Sequence, residues 1–207
     1  MISCPKPSLC GNQGIQFAYY ANEPWGDHIG TGLDPSYYWT YPPDFSATTT
    51  KVGGINEPAG SQITLYDTSK TVPANYFVLN HRGYIFAEMN GEYTFTTSDV
   101  DDITYLYLGD AALKGYDRTN YAAKLVCCDP SLTSASATYA LKTGDYLPFR
   151  VVFGQQGGPV AFTFSVTAPD GSVVLDAGTQ GSEFVVQYSC DGDAAPKFPA
   201  WGQEQPA

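Results

Sequence analysis

The sequence predicts an all-β protein, a sandwich or barrel with long surface loops, on three observations. Short runs of β-branched and aromatic residues, separated by Gly, Pro, Asn and Asp, recur from end to end of its 207 residues. The 21 Gly and 15 Pro supply many turns, and 16 Tyr suit strands with one apolar and one wet face. No stretch sustains a helical period, and no internal repeat is found.

Taken in chain order, Gly14–Tyr20 (GIQFAYY), Ser61–Tyr66, Asn75–Leu79 and Gly83–Met89 read as short strands with polar or glycine boundaries. Asn90-Gly91 is a tight-turn signal, and Glu92–Ser98 alternates faces with Tyr93 and Phe95 two residues apart, which predicts a hairpin centred there. Ile103–Leu108 is a strand. Asp110–Leu125 is a longer excursion with room for a helical turn at Asp110–Leu113. Ser136–Leu141, Tyr146–Gly154, Ala161–Ala168, Ser172–Asp176 and Glu183–Ser189 close the sheet set, with Pro169-Asp170-Gly171 as a turn. A single domain over residues 1–190 is expected. Residues 191–207 hold three prolines and little to pack, and read as a terminal segment or the start of a linker.

A net charge of -11 repels phosphate backbones and anionic lipid heads, which excludes nucleic acid as a partner. No apolar run reaches the roughly 20 residues that span a bilayer, so membrane insertion is not expected, and Met1-Ile2-Ser3-Cys4 lacks the regions of a signal peptide. Cys4, Cys10, Cys127, Cys128 and Cys190 have no zinc-site spacing and point to disulfides in an oxidising compartment. The expected arrangement is an end-to-end staple from Cys4 or Cys10 to Cys190, with a second bridge to the Cys127-Cys128 pair. His28 and His81 stand apart in sequence, and no G-x-S-x-G elbow occurs, so acyl-transfer chemistry has no support.

Two segments carry chemistry. Ser98-Asp99-Val100-Asp101-Asp102-Ile103 crowds three carboxylates at a strand end, either as a solvated acidic turn or as ligands of a hard cation such as calcium. A glycosidase pair is the enzyme alternative, and it needs a second, separated carboxyl such as Glu88 or Asp110. Gly154–Pro159 (GQQGGP) is a glycine-rich loop whose amides and carbonyls suit calcium or sugar hydroxyls.

GIQFAYY at Gly14–Tyr20, GEYTFTTSDVDDITYLYLGDAALKGYDRTN at Gly91–Asn120 and the block Tyr146–Gly171 together resemble the GLEYA family. The resemblance implies a PA14-like β-sandwich at the tip of a fungal cell-wall adhesin of the flocculin and epithelial-adhesin type. Such a domain is secreted to the cell wall or cell surface on a stalk and anchor outside this sequence. It would bind terminal sugars through calcium as a monomer acting multivalently, without catalysis. The implied metal ligands are Asp101 and Asp102, joined by a cis peptide, Gln155 where the family has Asn, and the carbonyls of Gly157 and Pro159. The implied sugar contacts are Asp101, Asp102, Gln155, Gln156, Gly158 and Tyr116, the last either stacking on a pyranose or packing within its loop. Trp25 and Trp39 are left outside the site. The small Gly157-Gly158 loop leaves room for an N-acetyl group and favours N-acetylglucosamine-terminated glycan over galactose or mannose. A structural wall module whose calcium loop has decayed is the remaining alternative.

Overall fold

A computed structural model describes residues 7–21, 30–204 and 206, so Cys4, Trp25 and His28 lie outside the described residues. The chain folds into antiparallel strands, as predicted. They are β1 (Ile15–Ala21), β2 (Phe45–Thr49), β3 (Gly53–Glu57), β4 (Gln62–Thr64), β5 (Thr71–Pro73), β6 (Phe77–Phe86), β7 (Gly91–Asp101) and β8 (Ile103–Leu108). After the short helix α1 (Asp110–Leu113) come β9 (Ala123–Val126), β10 (Ser134–Leu141), β11 (Tyr146–Gln155), β12 (Val160–Thr167), β13 (Val173–Leu175) and β14 (Val185–Val186). One sheet has the order β2-β1-β6-β11-β8-β9, with β14 also on β6. The facing sheet has the order β10-β7-β12-β13, with β3 on β12, and β4-β5 is a separate ribbon.

The two sheets are patterned differently because their environments differ. In β7, Tyr93, Phe95 and Thr97 are buried while their neighbours are not, the alternation of a sheet with one wet face. Every residue of β6 is buried, since its outer face is covered as well. Between the sheets, Phe153 stacks on Phe162 with centroids 4.7 Å apart, and Phe149 on Phe164 at 6.3 Å. Outside the larger sheet lies a second apolar layer that includes Tyr20, Leu33, Tyr38, Tyr107 and Tyr116.

Three expectations are corrected. Asn75–Leu79 and Gly83–Met89 belong to one strand, because the intervening Asn80, His81 and Arg82 are buried and hydrogen-bonded rather than turning in water. Asn90-Gly91 does not close a hairpin: β6 and β7 belong to different sheets, and Asn90 Oδ1 instead accepts from the Thr143 N–H at 2.9 Å. The end-to-end staple is Cys10–Cys190, whereas Cys127 and Cys128 are bonded to each other. That pair is fixed at the end of β9 by the Cys127 N–H, which donates to Asp102 O at 2.7 Å.

The segment after Cys190 has more to pack than its composition suggested. Trp201 lies over the Arg82 guanidinium at 3.5 Å, and Glu204 is buried between two arginines. Its Oε1 accepts from Arg82 and, at 2.7 Å, from Arg150, while its Oε2 accepts from the Tyr116 hydroxyl at 2.5 Å. Residues 191–204 therefore cover the outer face of β6 and β11.

Two predictions follow from these buried groups. Replacing Glu204 leaves two guanidiniums without their anion, so Glu204→Gln should lower unfolding free energy in urea by about 3–5 kcal/mol. A loss well under about 1 kcal/mol would show that the tail is not structurally required. The second concerns His81, whose ring meets the Tyr66 hydroxyl at 2.5 Å and Val151 O at 3.3 Å. Burial, opposed by the Val151 contact, lowers its pKa to about 4. In the unfolded chain it titrates near 6.5, so below that pH the unfolded state binds the extra proton. Stability should be full above about pH 6.5 and fall by about 3 kcal/mol toward pH 4. Comparing wild type with His81→Gln across that range checks it, since the variant should lose this slope.

Candidate functional site

Asp101 and Asp102 sit where the chain leaves one sheet and enters the other: Asp101 ends β7 and pairs with Ala161 on β12, and Ile103 opens β8. Their peptide bond is cis, as the resemblance implied. Both side chains are half-buried. Asp102 is held from three directions: its N–H faces Gly154 O at 3.4 Å, its carbonyl accepts from Cys127, and its Oδ2 accepts from the Gln156 N–H at 2.5 Å. Burial pushes the Asp102 carboxyl up; the Gln156 N–H opposes this, and the charge of Asp101 adds to it. The two carboxyls are thus crowded together with no ion pair to either among the described side chains, an arrangement a positive ion would relieve.

The neighbouring loop follows β11. Gln155 is fully buried, paired with Phe77 across the sheet, and its Nε2 donates to Pro159 O at 2.9 Å. Its Oε1 is buried with no hydrogen-bond partner. A buried amide oxygen left unpaired is unfavourable by about 1–3 kcal/mol, so this atom stands out as an acceptor awaiting a donor or a cation. Gln156, Gly158 and Pro159 are exposed, Gly157 half-buried, and Gly158 has φ +92, a conformation that glycine adopts freely. Asp101, Asp102 and the Gln155–Pro159 loop are therefore brought together by the Asp102–Gly154 and Asp102–Gln156 contacts.

Other predicted residues are not brought in. Tyr116 is fully buried, its ring 4.0 Å from the Arg150 guanidinium and its hydroxyl on Glu204, so it packs and offers no face to a sugar. Asp99 instead accepts from its neighbour, the Ser98 hydroxyl, at 3.1 Å. The glycosidase geometry lacks its second wall: Asp110 lies at the far end of β8, about 20 Å along the strand, and Glu88 borders a separate groove with Val173 and Phe184.

Sequence reasoning missed the supports. Leu33, fully buried, packs under Gly154, where an added Cβ would lie 2.9 Å from it, and Arg118 Nε donates to Leu33 O at 3.0 Å. Cys127 and Cys128 lie beside Asp101, with ligand atoms of all three within 4.8 Å of one another. Tyr76 donates its N–H to Gln156 O at 2.7 Å. Of these only the Cys-Cys dipeptide is conspicuous in sequence, and nothing in it names Asp101 as its neighbour.

Residues 77–168, from β6 through β12, match the GLEYA domain family. The match covers less than half of the chain. No curated protein matches it in sequence. Among solved structures the chain is similar to the epithelial adhesin 6 A domain of Candida glabrata in complex with Galβ1-3GlcNAc. That match has 20% identity, a TM-score of 0.68, and covers 95% of this chain and 96% of that one. It is also similar to the epithelial adhesin 9 A domain of Candida glabrata, in complex with Galβ1-4GlcNAc. Here identity is 15%, the TM-score 0.62, and coverage 82% and 88%. A PA14 sugar-binding domain from an RTX adhesin matches at 16% identity and TM-score 0.57, over 83% of this chain and 98% of that one. These likenesses show a PA14-like β-sandwich.

The orphaned oxygen is testable by itself. Gln155→Leu removes it along with one exposed-end hydrogen bond, and in chelator-treated protein it should lower unfolding free energy by no more than about 1 kcal/mol. A loss of about 3 kcal/mol in urea titration would mean that Gln155 Oε1 is satisfied in the ion-free protein.

Proposed function

We propose that this GLEYA domain is a calcium-dependent lectin that recognises terminal sugars in cell-surface adhesion. The observation that carries the reading is the buried, unpartnered Gln155 Oε1 in the loop whose next residue, Gln156, donates its N–H to the Asp102 carboxylate. The donor set fits a hard cation: two carboxylates, a neutral amide oxygen and loop carbonyls are the oxygen ligands calcium takes. Asp101, Asp102, Gln155 Oε1 and the Gly157 and Pro159 carbonyls would hold it. Gln155 keeps the amide oxygen of the Asn it replaces. A calcium ion held there supplies open coordination positions for vicinal sugar hydroxyls.

The chain's own groups complete recognition. The exposed Gln156 side chain offers donor and acceptor to hydroxyls at the rim. Gly158, without a side chain, leaves its backbone approachable. Asp101 and Asp102 also accept from the same hydroxyls. The two epithelial adhesin domains were solved with Galβ1-3GlcNAc and Galβ1-4GlcNAc, which supports trying galactose-type ends first as ligands. N-acetylglucosamine is the alternative that the two-glycine loop accommodates, with mannose third. Recognition of this kind is binding rather than catalysis, modest per site and strengthened by multivalent display. The Cys10–Cys190 bridge supports a secreted, cell-surface setting, where disulfides persist. Among the described residues no helix is long and apolar enough to cross a membrane.

Calorimetric titration of the protein with calcium, then with galactose, N-acetylglucosamine and mannose, tests the reading. Calcium should bind, and one sugar should give heat only in its presence. Asp102→Ala should abolish both signals while its circular dichroism stays native. Undiminished sugar binding by Asp102→Ala, or by Asp101→Ala, would sink the mechanism, and absence of calcium binding would leave a structural wall module as the better account.

A further inference from the structure

Gly157 and Gly158 leave the middle of the Gln155–Pro159 loop without side chains of its own. The chain places one there from a different element. Tyr76 directly precedes β6, opposite Gln156, and its N–H donates to Gln156 O at 2.7 Å. A Cβ built on Gly157 would lie 3.3 Å from Tyr76 Oη, 3.5 Å from Cζ and 3.7 Å from the near ring edge. The hydroxyl end of the tyrosine therefore rests over Gly157. Gly157 has an ordinary φ, so a side chain at that position would meet Tyr76 rather than a strained backbone.

Tyr76 differs from two tyrosines of the layer it borders, and from the buried Tyr20 in its exposure. Tyr107 and Tyr116 are fully buried, and their hydroxyls donate to Asp117 O and Glu204. Tyr76 is half-buried, and its hydroxyl donates to no group among the described residues. It also adopts φ 54, a left-handed conformation that a bulky side chain rarely accepts and that persists where the surroundings impose it. The Gln156 contact and the start of β6 are those surroundings.

We propose that Tyr76 is a specificity-determining sugar contact of this site, its hydroxyl hydrogen-bonding a pyranose hydroxyl next to those held at Asp101, Asp102 and Gln155. This rests on the carbohydrate-binding reading above. A phenol both donates and accepts, so it can read either an axial or an equatorial hydroxyl, and its ring edge limits how far the sugar tilts over the glycines. A residue before β6, not one in the loop itself, then sets which epimer is preferred.

Calorimetry on the full chain with saturating calcium, using galactose and N-acetylglucosamine, tests it with Tyr76→Phe and Tyr76→Ala, and calcium is titrated separately on each variant. Tyr76→Phe, which removes one oxygen and leaves packing intact, should weaken the preferred sugar about fivefold, and Tyr76→Ala at least tenfold. Calcium affinity should stay within about twofold, and the ratio between the two sugars should narrow. Sugar affinity unchanged in both variants overturns the proposal. So does a parallel fall in calcium affinity, which would make Tyr76 a support of the loop. If wild type binds calcium but neither sugar, the lectin reading itself fails and this assignment falls with it.

Discussion

The fold depends on one buried charge node. Arg82 on β6 and Arg150 on β11 face each other as cross-strand partners at the centre of the larger sheet, and both guanidiniums are buried. Two like charges there are untenable alone. Burial and the nearby Arg150 lower the Arg82 pKa to about 10, and Glu204 works in the opposite direction. Glu204 arrives from the end of the chain, Asn80 Oδ1 and Ala112 O accept further hydrogen bonds from Arg150, and Gln16 Oε1 and Pro199 O accept from Arg82. Every strand and segment touching this node is thereby fixed in register, including the carboxyl-terminal tail and the helix α1. Because guanidinium forks need partners at set positions, the node specifies one arrangement where apolar packing alone would tolerate several.

The site takes its rigidity from the same sheet. β8 and β11 run from the neighbourhood of Arg150 at one part of the sheet to Ile103 and Gln155 at its end, so the two loops are the ends of strands locked further down. Asp102 and Gly154 are neighbours because Ile103 pairs with Gly154. The unfavourable features of the site, two facing carboxylates and an unpaired buried amide oxygen, are carried by elements whose placement is decided elsewhere. Such a division lets a binding site remain poorly satisfied until occupied.

What was legible in the sequence was periodic or adjacent. The alternation in Glu92–Ser98 gave the face of β7, and the adjacent aspartates pointed to half of the candidate site. The strand β6 was misread as two because Asn80-His81-Arg82 looks like a turn until Arg150 and Glu204 are seen to pair with it, and those partners are 70 and 122 residues away. The tail was misread for the same reason: three prolines hide the fact that Trp201 and Glu204 have waiting partners. Tyr116 carries the right residue type in a motif-like setting, but its burial is decided by Arg150 and Glu204, which local sequence cannot show. Tyr76 has no sequence signal, since its relation to Gly157 exists only once β6 and β11 pair.

A site of this kind has a thermodynamic consequence for how the domain is used. Any ion or sugar that binds only the folded chain raises its stability by an amount that grows with the logarithm of free ligand over dissociation constant. The relief of the Asp101–Asp102 repulsion and the satisfaction of Gln155 Oε1 both enter that term, whereas the Arg82–Glu204–Arg150 node does not. Ligand and tail therefore stabilise different parts of one sandwich, joined through β11. Loss of such a ligand should loosen the loop ends first and leave the sheet intact, because the node that fixes the sheet does not depend on it.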